Sequence, residues 1–309
     1  MTDVHGSDVC FRKFLNAAKF YKANVLILGG DITGKSMIPV VETGNGTYEC
    51  TYAGEDVVLK SREQADSLMK EMRDSGIYTI FVQPSEFEEF NARPEIASKV
   101  FNQLMLDGVK KWLKLAEERL KGSGTKCFIS SGNDDIPEMD EVLDSLSFVI
   151  NPERKVVRID DAHEMITLGV VNHTPWHSPR EVDEDVLQRM IEDMAMKLEK
   201  PENAIFNFHV PPINTPIDQA PKVSADLKPV VNAGHVVMTS AGSVAVRKMI
   251  EKYQPLIGLH GHIHESKGVV KIGRTACFNP GSEYGEGVLR GVVGQLDDGK
   301  LKSYLLTSG

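Results

Sequence analysis

The chain has 309 residues, enough for one large α/β domain or two smaller ones. With 35 Lys and Arg against 44 Asp and Glu, its formal charge of −9 disfavours broad electrostatic capture of nucleic acid or of an anionic membrane surface; a phosphate-bearing ligand would need locally concentrated positive charge. The four cysteines form no CxxC pair, there is no apolar run of about eighteen residues to span a bilayer, and the start has no secretory pattern, so the composition predicts a soluble, cytoplasmic protein without a disulfide framework or thiolate zinc knuckle.

In chain order, "MTDVHGSD" opens with Asp3-Val4-His5, a spacing that can hold a metal at the end of a strand, although only Met1 and Thr2 precede it. "NVLILGGD" (24–31) is a short apolar run closing on Asp31 and predicts a strand buried on both faces. Residues 36–60 carry "GNG" between β-prone runs and predict an inserted hairpin. A helix over 61–75 starts at Ser61 and stops at Gly76, and a longer one over 94–121 carries Val100, Leu104, Trp112, Leu113 and Leu120 before Gly122.

Further buried strands are predicted at "KCFISSGNDD" (126–135), "MITLGVVNHT" (165–174), "AIFNFHVPP" (204–212) and "PLIGLHGHIH" (255–264). Between them a helix over 182–199 places Val186, Met190, Met194 and Leu198 on one core-facing stripe. The segment 268–306 reads as short strands with turns such as Asp298-Gly299. Strands alternating with helices give an α/β class, and without a repeat or low-complexity linker the expectation is one domain over 1–309 with an excursion at 36–60.

Most of these strands end in a residue able to bind metal: Asp31, Asn133 with its acidic neighbours, His209, then His262 and His264. Ligands of open α/β sheets gather beyond the carboxyl ends of the strands, so the order predicts a common site. Singly, each has a plain structural reading. Gly29-Gly30-Asp31 could be only a tight turn, and Asn133-Asp134-Asp135 only a helix cap before Pro137. "HGHIH" is more specific, because two histidines separated by one residue point the same way from an extended chain.

Taken in order, Asp3-Val4-His5, Gly30-Asp31, Gly132-Asn133-Asp134-Asp135, His209 and Gly261-His262-Ile263-His264 resemble the D-x-H, G-D, G-N-H-[DE], lone His and G-H-x-H motifs of the calcineurin-like metallophosphoesterase superfamily, and the resemblance spans nearly the whole chain. It implies a two-sheet β-sandwich flanked by helices in four layers, with the first strand apparently missing or truncated. It also implies two divalent metals at one end, Asp3, His5 and His264 holding one, Asn133, His209 and His262 the other, and Asp31 bridging them. Carboxylate, amide and imidazole donors suit manganese, iron, zinc, nickel or cobalt. A hydroxide shared by ions roughly 3.5–4 Å apart would then attack phosphorus in a small phosphate ester, a diester or a broad range of esters being favoured. The contrasting expectation is a binding or scaffold protein that keeps the fold without turnover.

One motif departs from the pattern: Asp134 stands where the family has His, which in the family is thought to protonate the leaving oxygen or contact the phosphoryl group. General acid catalysis is worth about 10²–10⁴-fold, so the difference should matter most for poor leaving groups. Either Asp134 stays protonated beside Asp135 and acts as the acid, or a residue of "NHTPWHSPRE" (172–181) substitutes, or the substrates have leaving groups that need little help. In that segment His177 and Arg180 are the leading candidates, with His173 beside them. His163 and His235 read as ordinary residues, His260 as a support for the metal ligands, and "PGSEYGEG" (280–287) as a turn without chemistry. In the family an apolar strand precedes D-x-H, so this start predicts loosely attached Asp3 and His5, one metal held more weakly than the other, and a natural chain that begins upstream or a strand supplied by another segment.

Overall fold

The computed structural model describes residues 1–309. Helix α1 (Asp8–Phe20) starts where the Ser7 hydroxyl accepts a hydrogen bond from Cys10 N, and it buries Cys10, Phe11, Phe14, Leu15 and Ala18 along one face. Strand β1 (Val25–Gly29) follows. The segment expected as a hairpin forms three strands, β2 (Ser36–Gly44), β3 (Thr47–Tyr52) and β4 (Glu55–Leu59), paired antiparallel in sequence order. After α2 (Arg62–Asp74), β5 (Ile77–Val82) pairs parallel with β2, so the excursion is a four-stranded sheet ordered β4-β3-β2-β5. Ala65, Met69 and Met72 of α2 cover that sheet through Val40, Tyr48, Cys50 and Leu59.

Two helices, α3 (Pro84–Ala92) and α4 (Pro94–Leu120), lead to β6 (Lys126–Ser130), which pairs parallel with β1 from Val25–Lys126 to Gly29–Ser130. The apolar face of α4 meets α1, where the Phe11 and Trp112 rings stack 4.3 Å apart and the indole donates to Asp8 Oδ1 at 2.6 Å. Short α5 (Met139–Asp144) closes this layer.

The second half supplies β7 (Val156–Arg158), β8 (Glu164–Leu168), the two-residue strands β9 (Val171–Asn172) and β10 (Glu181–Val182), helix α6 (Glu184–Ala195) and β11 (Ile205–Phe208). Short β12 (Gln219–Pro221), β13 (Val231–Asn232), β14 (His235–Val236) and β15 (Met238–Ser240) form an antiparallel surface excursion. Then come α7 (Val244–Tyr253), β16 (Ile257–Leu259), β17 (Gly268–Ile272), β18 (Thr275–Asn279), and the hairpin β19 (Arg290–Asp297) with β20 (Lys300–Ser308).

Six of these strands form one sheet, ordered β17-β18-β16-β11-β8-β7, in which the inner four are parallel and both edges antiparallel. Its two faces bury different partners. Helices α6 and α7 cover one, with Phe206, Phe208 and Val210 against Ile191, Met194, Val246 and Ile250. On the other, Phe128, Met165, Ile205, Ile257 and Phe278 fill the space shared with Ile27 of β1 and Val292 and Leu301 of the hairpin. This is a mixed α/β architecture of layered sheets and helices, and no helix is long and apolar enough to cross a membrane.

Two expectations are corrected. The buried face of α6 is Leu187, Ile191, Met194 and Ala195, while Val186 and Met190 lie half-buried. Met194 and Leu198 of the expected stripe are buried against α7 as expected, but at its start packing buries Leu187 and Ile191 in place of Val186 and Met190. Nor are Asp3 and His5 loosely attached: they are 1% and 0% exposed. The first residues run parallel to β1 and beyond it, with hydrogen bonds from Met1 N to Ile27 O, Gly29 N to Met1 O, Asp3 N to Gly30 O and His5 N to Asp31 O, all between 2.8 and 3.0 Å. Two residues offer no periodicity, so this ladder has no sequence signal.

One buried carboxyl lies beneath the loops that end the strands. Glu153 Oε2 accepts Gly169 N at 2.8 Å, whereas Oε1 has no hydrogen-bond partner. Burial, reinforced by Asp140, pushes this carboxyl up to about 7, against the pull of Gly169 N–H, Arg180 and Arg154. The folded state therefore holds the proton more tightly than the unfolded chain. Its stabilising contribution is complete below the unfolded value of 4.5 and is lost as pH rises through about 7, a change on the order of 3 kcal/mol. Glu153→Gln should be more stable than the parent at pH 8 by about 1–3 kcal/mol, and the difference should vanish near pH 4.5. Urea denaturation at the two pH values checks this.

Candidate metal centre

Strand ends from both sheets meet at one place. Asp3 and His5 arrive beside β1, Asp31 just after it, and Asn133 and Asp134 after β6. From the six-stranded sheet come His209 after β11, and His262 and His264 after β16. The donor atoms of Asp3, His5 and His264 lie within 4.8 Å of one another, as do those of Asp31, His209 and His262, and those of His5, Asp31 and Asp134. Asn133 joins them, its Oδ1 2.8 Å from His262 Nδ1. The seven residues proposed as ligands from sequence are thus neighbours in space.

The local backbone is costly to make. Asp3, His5, Asp31 and His262 all have positive φ, at 53°, 39°, 49° and 67°. Non-glycine residues seldom adopt this region, at about 1–3 kcal/mol each, and such strain concentrates at functional sites. The motif glycines have a steric reason: a Cβ at Gly132 would collide with Asp31, and one at Gly261 with the Asp3 carboxylate.

Hydrogen bonds fix the ring orientations. His209 Nδ1 lies 3.1 Å from Gly29 O, which only accepts, so Nδ1 carries the proton and Nε2 faces the centre. That Nε2 is buried without a hydrogen-bond partner, although the carboxylates of Asp31 and Asp3 lie 3.3 and 3.6 Å from it at ion-pair distance. His5 Nδ1 contacts Thr33 O at 3.3 Å, which turns its Nε2 to within 3.1 Å of His264 Nε2. Two ring nitrogens facing one another across 3.1 Å beside two carboxylates suit a shared cation. His260, fully buried, contacts Phe208 O at 2.8 Å and Val210 O at 3.1 Å and so braces the turn bearing His209.

The electrostatics agree with a cation site. Burial pushes both Asp3 and Asp31 up, but neighbouring histidines, His209 foremost, outweigh it and hold both carboxyls below the ordinary aspartate value. His209 is driven the other way: burial lowers it, yet Asp31 and Asp3 raise it to about 10. Burial takes His5 down to about 3 and, helped by the charge of His209, His262 down to about 4, leaving both neutral with lone pairs available. Carboxylate, amide and neutral imidazole donors fit borderline divalent ions, and an inward-facing Nε2 without a partner is the feature such an ion would satisfy.

The proposed acids are placed differently. Asp135 accepts from Ile32 N, Thr33 N, Thr33 Oγ1 and Gly132 N, tying the loop after β1 to the loop after β6. It is therefore not paired with Asp134, whose Oδ2 instead lies 2.6 Å from Lys35 Nζ. Burial and Asp31 raise the Asp134 carboxyl while Lys35 opposes them. Arg180 does not face the centre. Its side chain, 7% exposed, bonds Asp135 O, Ile136 O and Asp140 Oδ2 at 2.9–3.0 Å and so braces the loop that follows Asn133. His177 is exposed with φ 52° and lies outside all three clusters, and His173 is drawn to Asp183 and Glu181. What the 172–181 segment brings is Ser178, whose Oγ accepts from Asn133 Nδ2 at 2.9 Å and thereby turns Oδ1 toward His262.

Sequence reading missed Lys35 and Tyr284. Lys35 follows Asp31 by four residues in "GDITGK". Burial works against its charge, but Asp134 and then Asp31 hold the ammonium pKa above the usual lysine value. The Tyr284 ring lies 4.7 Å from that of His5 and stands edge-on to His264 at 6.0 Å, while Ser282 Oγ donates to Asp3 O at 2.6 Å. The segment "PGSEYGEG", assigned only a turn, thus forms one wall of the centre.

With this geometry in view, comparison with known proteins adds the fold. A solved structure matches over 91% of this chain and 88% of its own at TM-score 0.52 and 14% identity. TT1561 of Thermus thermophilus matches over 94% and 90% at TM-score 0.50 and 13% identity. The shared property is the fold. In sequence, the uncharacterized protein MJ1162 of Methanocaldococcus jannaschii is 34% identical over 143 residues, 45% of this chain and 58% of that protein's length. No family model matches.

Proposed function

We propose that this protein is a metal-dependent phosphoesterase of the calcineurin-like metallophosphoesterase type, acting on small phosphate esters. The observation that carries the reading is the buried His209 Nε2, oriented by Gly29 O toward the Asp31 and Asp3 carboxylates at 3.3 and 3.6 Å but without a hydrogen bond to either. In this reading Asp3, His5 and His264 hold one divalent ion, Asn133, His209 and His262 the other, and Asp31 reaches both. The ions would supply Lewis-acid polarisation of phosphoryl oxygens and a water acidic enough to serve as nucleophile at neutral pH. The chain's own residues orient the donors: Gly29 O sets the His209 tautomer, Ser178 the Asn133 amide, and Asp3 accepts His262 N at 3.1 Å.

A cavity of about 400 Å³ adjoins His264 and is lined mostly by polar side chains, Glu265, Lys267, Ser282, Glu283 and Arg290, with Pro280 among them, which suits a small polar ester. No imidazole follows Asn133 to protonate a leaving group, which favours diesters and other esters with acidic leaving groups. A cytoplasmic location remains part of the proposal, on the wide spacing of the four cysteines in the sequence.

The test is release of nitrophenol from bis(p-nitrophenyl) phosphate by protein loaded in turn with manganese, iron, zinc, nickel and cobalt. Turnover that chelation abolishes and metal restores, with two ions per chain, is the expected result. Two bound ions without turnover on any phosphate ester would favour the scaffold reading.

A further inference from the structure

We propose that Lys35 is a substrate-binding residue that donates to a phosphoryl oxygen of the bound ester, and that Asp134 is the residue that positions it. The inference rests on the phosphoesterase reading and deepens it. The floor of the centre carries two buried carboxylates, Asp3 and Asp31, which by themselves repel a phosphate anion. Lys35 brings three N–H donors to its edge. One is directed to Asp134 Oδ2 at 2.6 Å, and the half-exposed side chain leaves the others free to face a ligand.

The ammonium is held in place from both ends. Asp134 is anchored to the centre by its own N–H, which donates to Asp31 Oδ1 at 3.0 Å, and its Oδ1 accepts from Asn133 Nδ2 at 2.8 Å. On the Lys35 side the backbone enters through Gly34, where a Cβ would collide with Gly76 O, and leaves directly into β2 at Ser36. A chain clamped this way delivers the same lysine to the same place each time. The other nearby cation on this loop system, Arg180, is saturated beneath it and cannot reach a ligand.

This assignment gives Asp134 a purpose other than proton donation. In the family the residue at this point is a histidine; here a carboxylate holds an ammonium beside the phosphoryl site, so the positive group comes from Lys35. Lys35 acts through charge and hydrogen bonding, not by protonating the leaving oxygen.

The experiment compares manganese-loaded parent, Lys35→Ala, Lys35→Gln, Lys35→Arg and Asp134→Asn proteins. Calorimetry reads the binding of inorganic phosphate, kinetics reads kcat and KM on aryl phosphodiesters of graded leaving-group acidity, and metal analysis reads ion content. With metal content unchanged, Lys35→Ala and Lys35→Gln should weaken phosphate binding about 10- to 100-fold, the range for a charge-assisted hydrogen bond, and lower kcat/KM by one common factor across the leaving groups. Lys35→Arg should retain most of the binding, and Asp134→Asn should weaken it by less than Lys35→Ala does. Phosphate binding within about twofold of the parent in both Lys35→Ala and Lys35→Gln would overturn the proposal, as would a loss that grows as the leaving group becomes less acidic. A parent that binds two ions but neither binds phosphate nor cleaves any ester would instead remove the phosphoesterase reading itself.

Discussion

Asp31→Asn is expected to give a folded protein that has lost metal-dependent hydrolysis by about 10³-fold or more and no longer retains two ions per chain. Asp31 belongs to two of the three donor clusters and lies between residues assigned to both ions: Oδ2 is 3.3 Å from His209 Nε2 and 3.6 Å from His5 Nε2. Asparagine keeps the shape and can still accept Asp134 N through the oxygen that now receives it at 3.0 Å. The change relieves the repulsion between Asp3 and Asp31 but also removes the stronger attraction between Asp31 and His209, so the metal-free variant should be somewhat less stable while still folding, which circular dichroism checks. An independent readout is His209 itself. Asp31 is the largest charge raising it to about 10, so in the metal-free variant its titration, followed by NMR, should move down toward the ordinary histidine range. Two retained ions with parental turnover would contradict the shared position assigned to Asp31.

Much of this centre was legible because two simple signals coincide. Apolar runs such as "VLILG" and "IFNF" have no choice but to be buried, and the polar residue that ends each run must emerge at the same edge of a parallel sheet. Asp31, Asn133, His209 and His262 follow from that rule alone. Lys35 and Tyr284 do not, because each sits on a loop whose direction is set by distant chain: Gly34 by the approach of Gly76, Tyr284 by the rings of His5 and His264.

The excursion at 36–60 was half legible for a related reason. Its antiparallel strands lie close in sequence, but β5 joins through a parallel register from Ser36–Ile77 to Val41–Val82 that no local turn announces. Helix α6 shows the limit of periodicity itself. Val186 and Leu187 begin equally good stripes, and the surface of α7 takes Leu187 and Ile191 from one and Met194 and Leu198 from the other. Arg180 shows the limit of residue type. A guanidinium near a strand end suits phosphate, yet it suits equally the free carbonyls of a loop, and loop carbonyls have no signature in sequence.

That last distinction has a measurable consequence. Arg180→Ala should lower stability by about 2–4 kcal/mol, somewhat less than the roughly 3–5 kcal/mol for breaking a fully buried charged pair because Asp140 is partly exposed. The loss has two parts: Asp140 forfeits its charged partner and keeps only Ser131 Oγ, and the carbonyl of Asp135 loses its side-chain donor while that of Ile136 keeps only Met139 N. Because those carbonyls belong to the turn that begins with Asn133, the ion held through Asn133, His209 and His262 should also be released more readily. Lysine cannot repair this, since a single ammonium lacks the planar fork that reaches three acceptors at once. Urea denaturation and metal analysis of the alanine and lysine variants should therefore show lower midpoints and reduced ion content in both, while KM of the fraction still loaded with two ions stays at the parental value. An alanine variant with parental stability and a raised KM would return Arg180 to the substrate, because a group that only braces the loop has no route to ester affinity once the ions are in place.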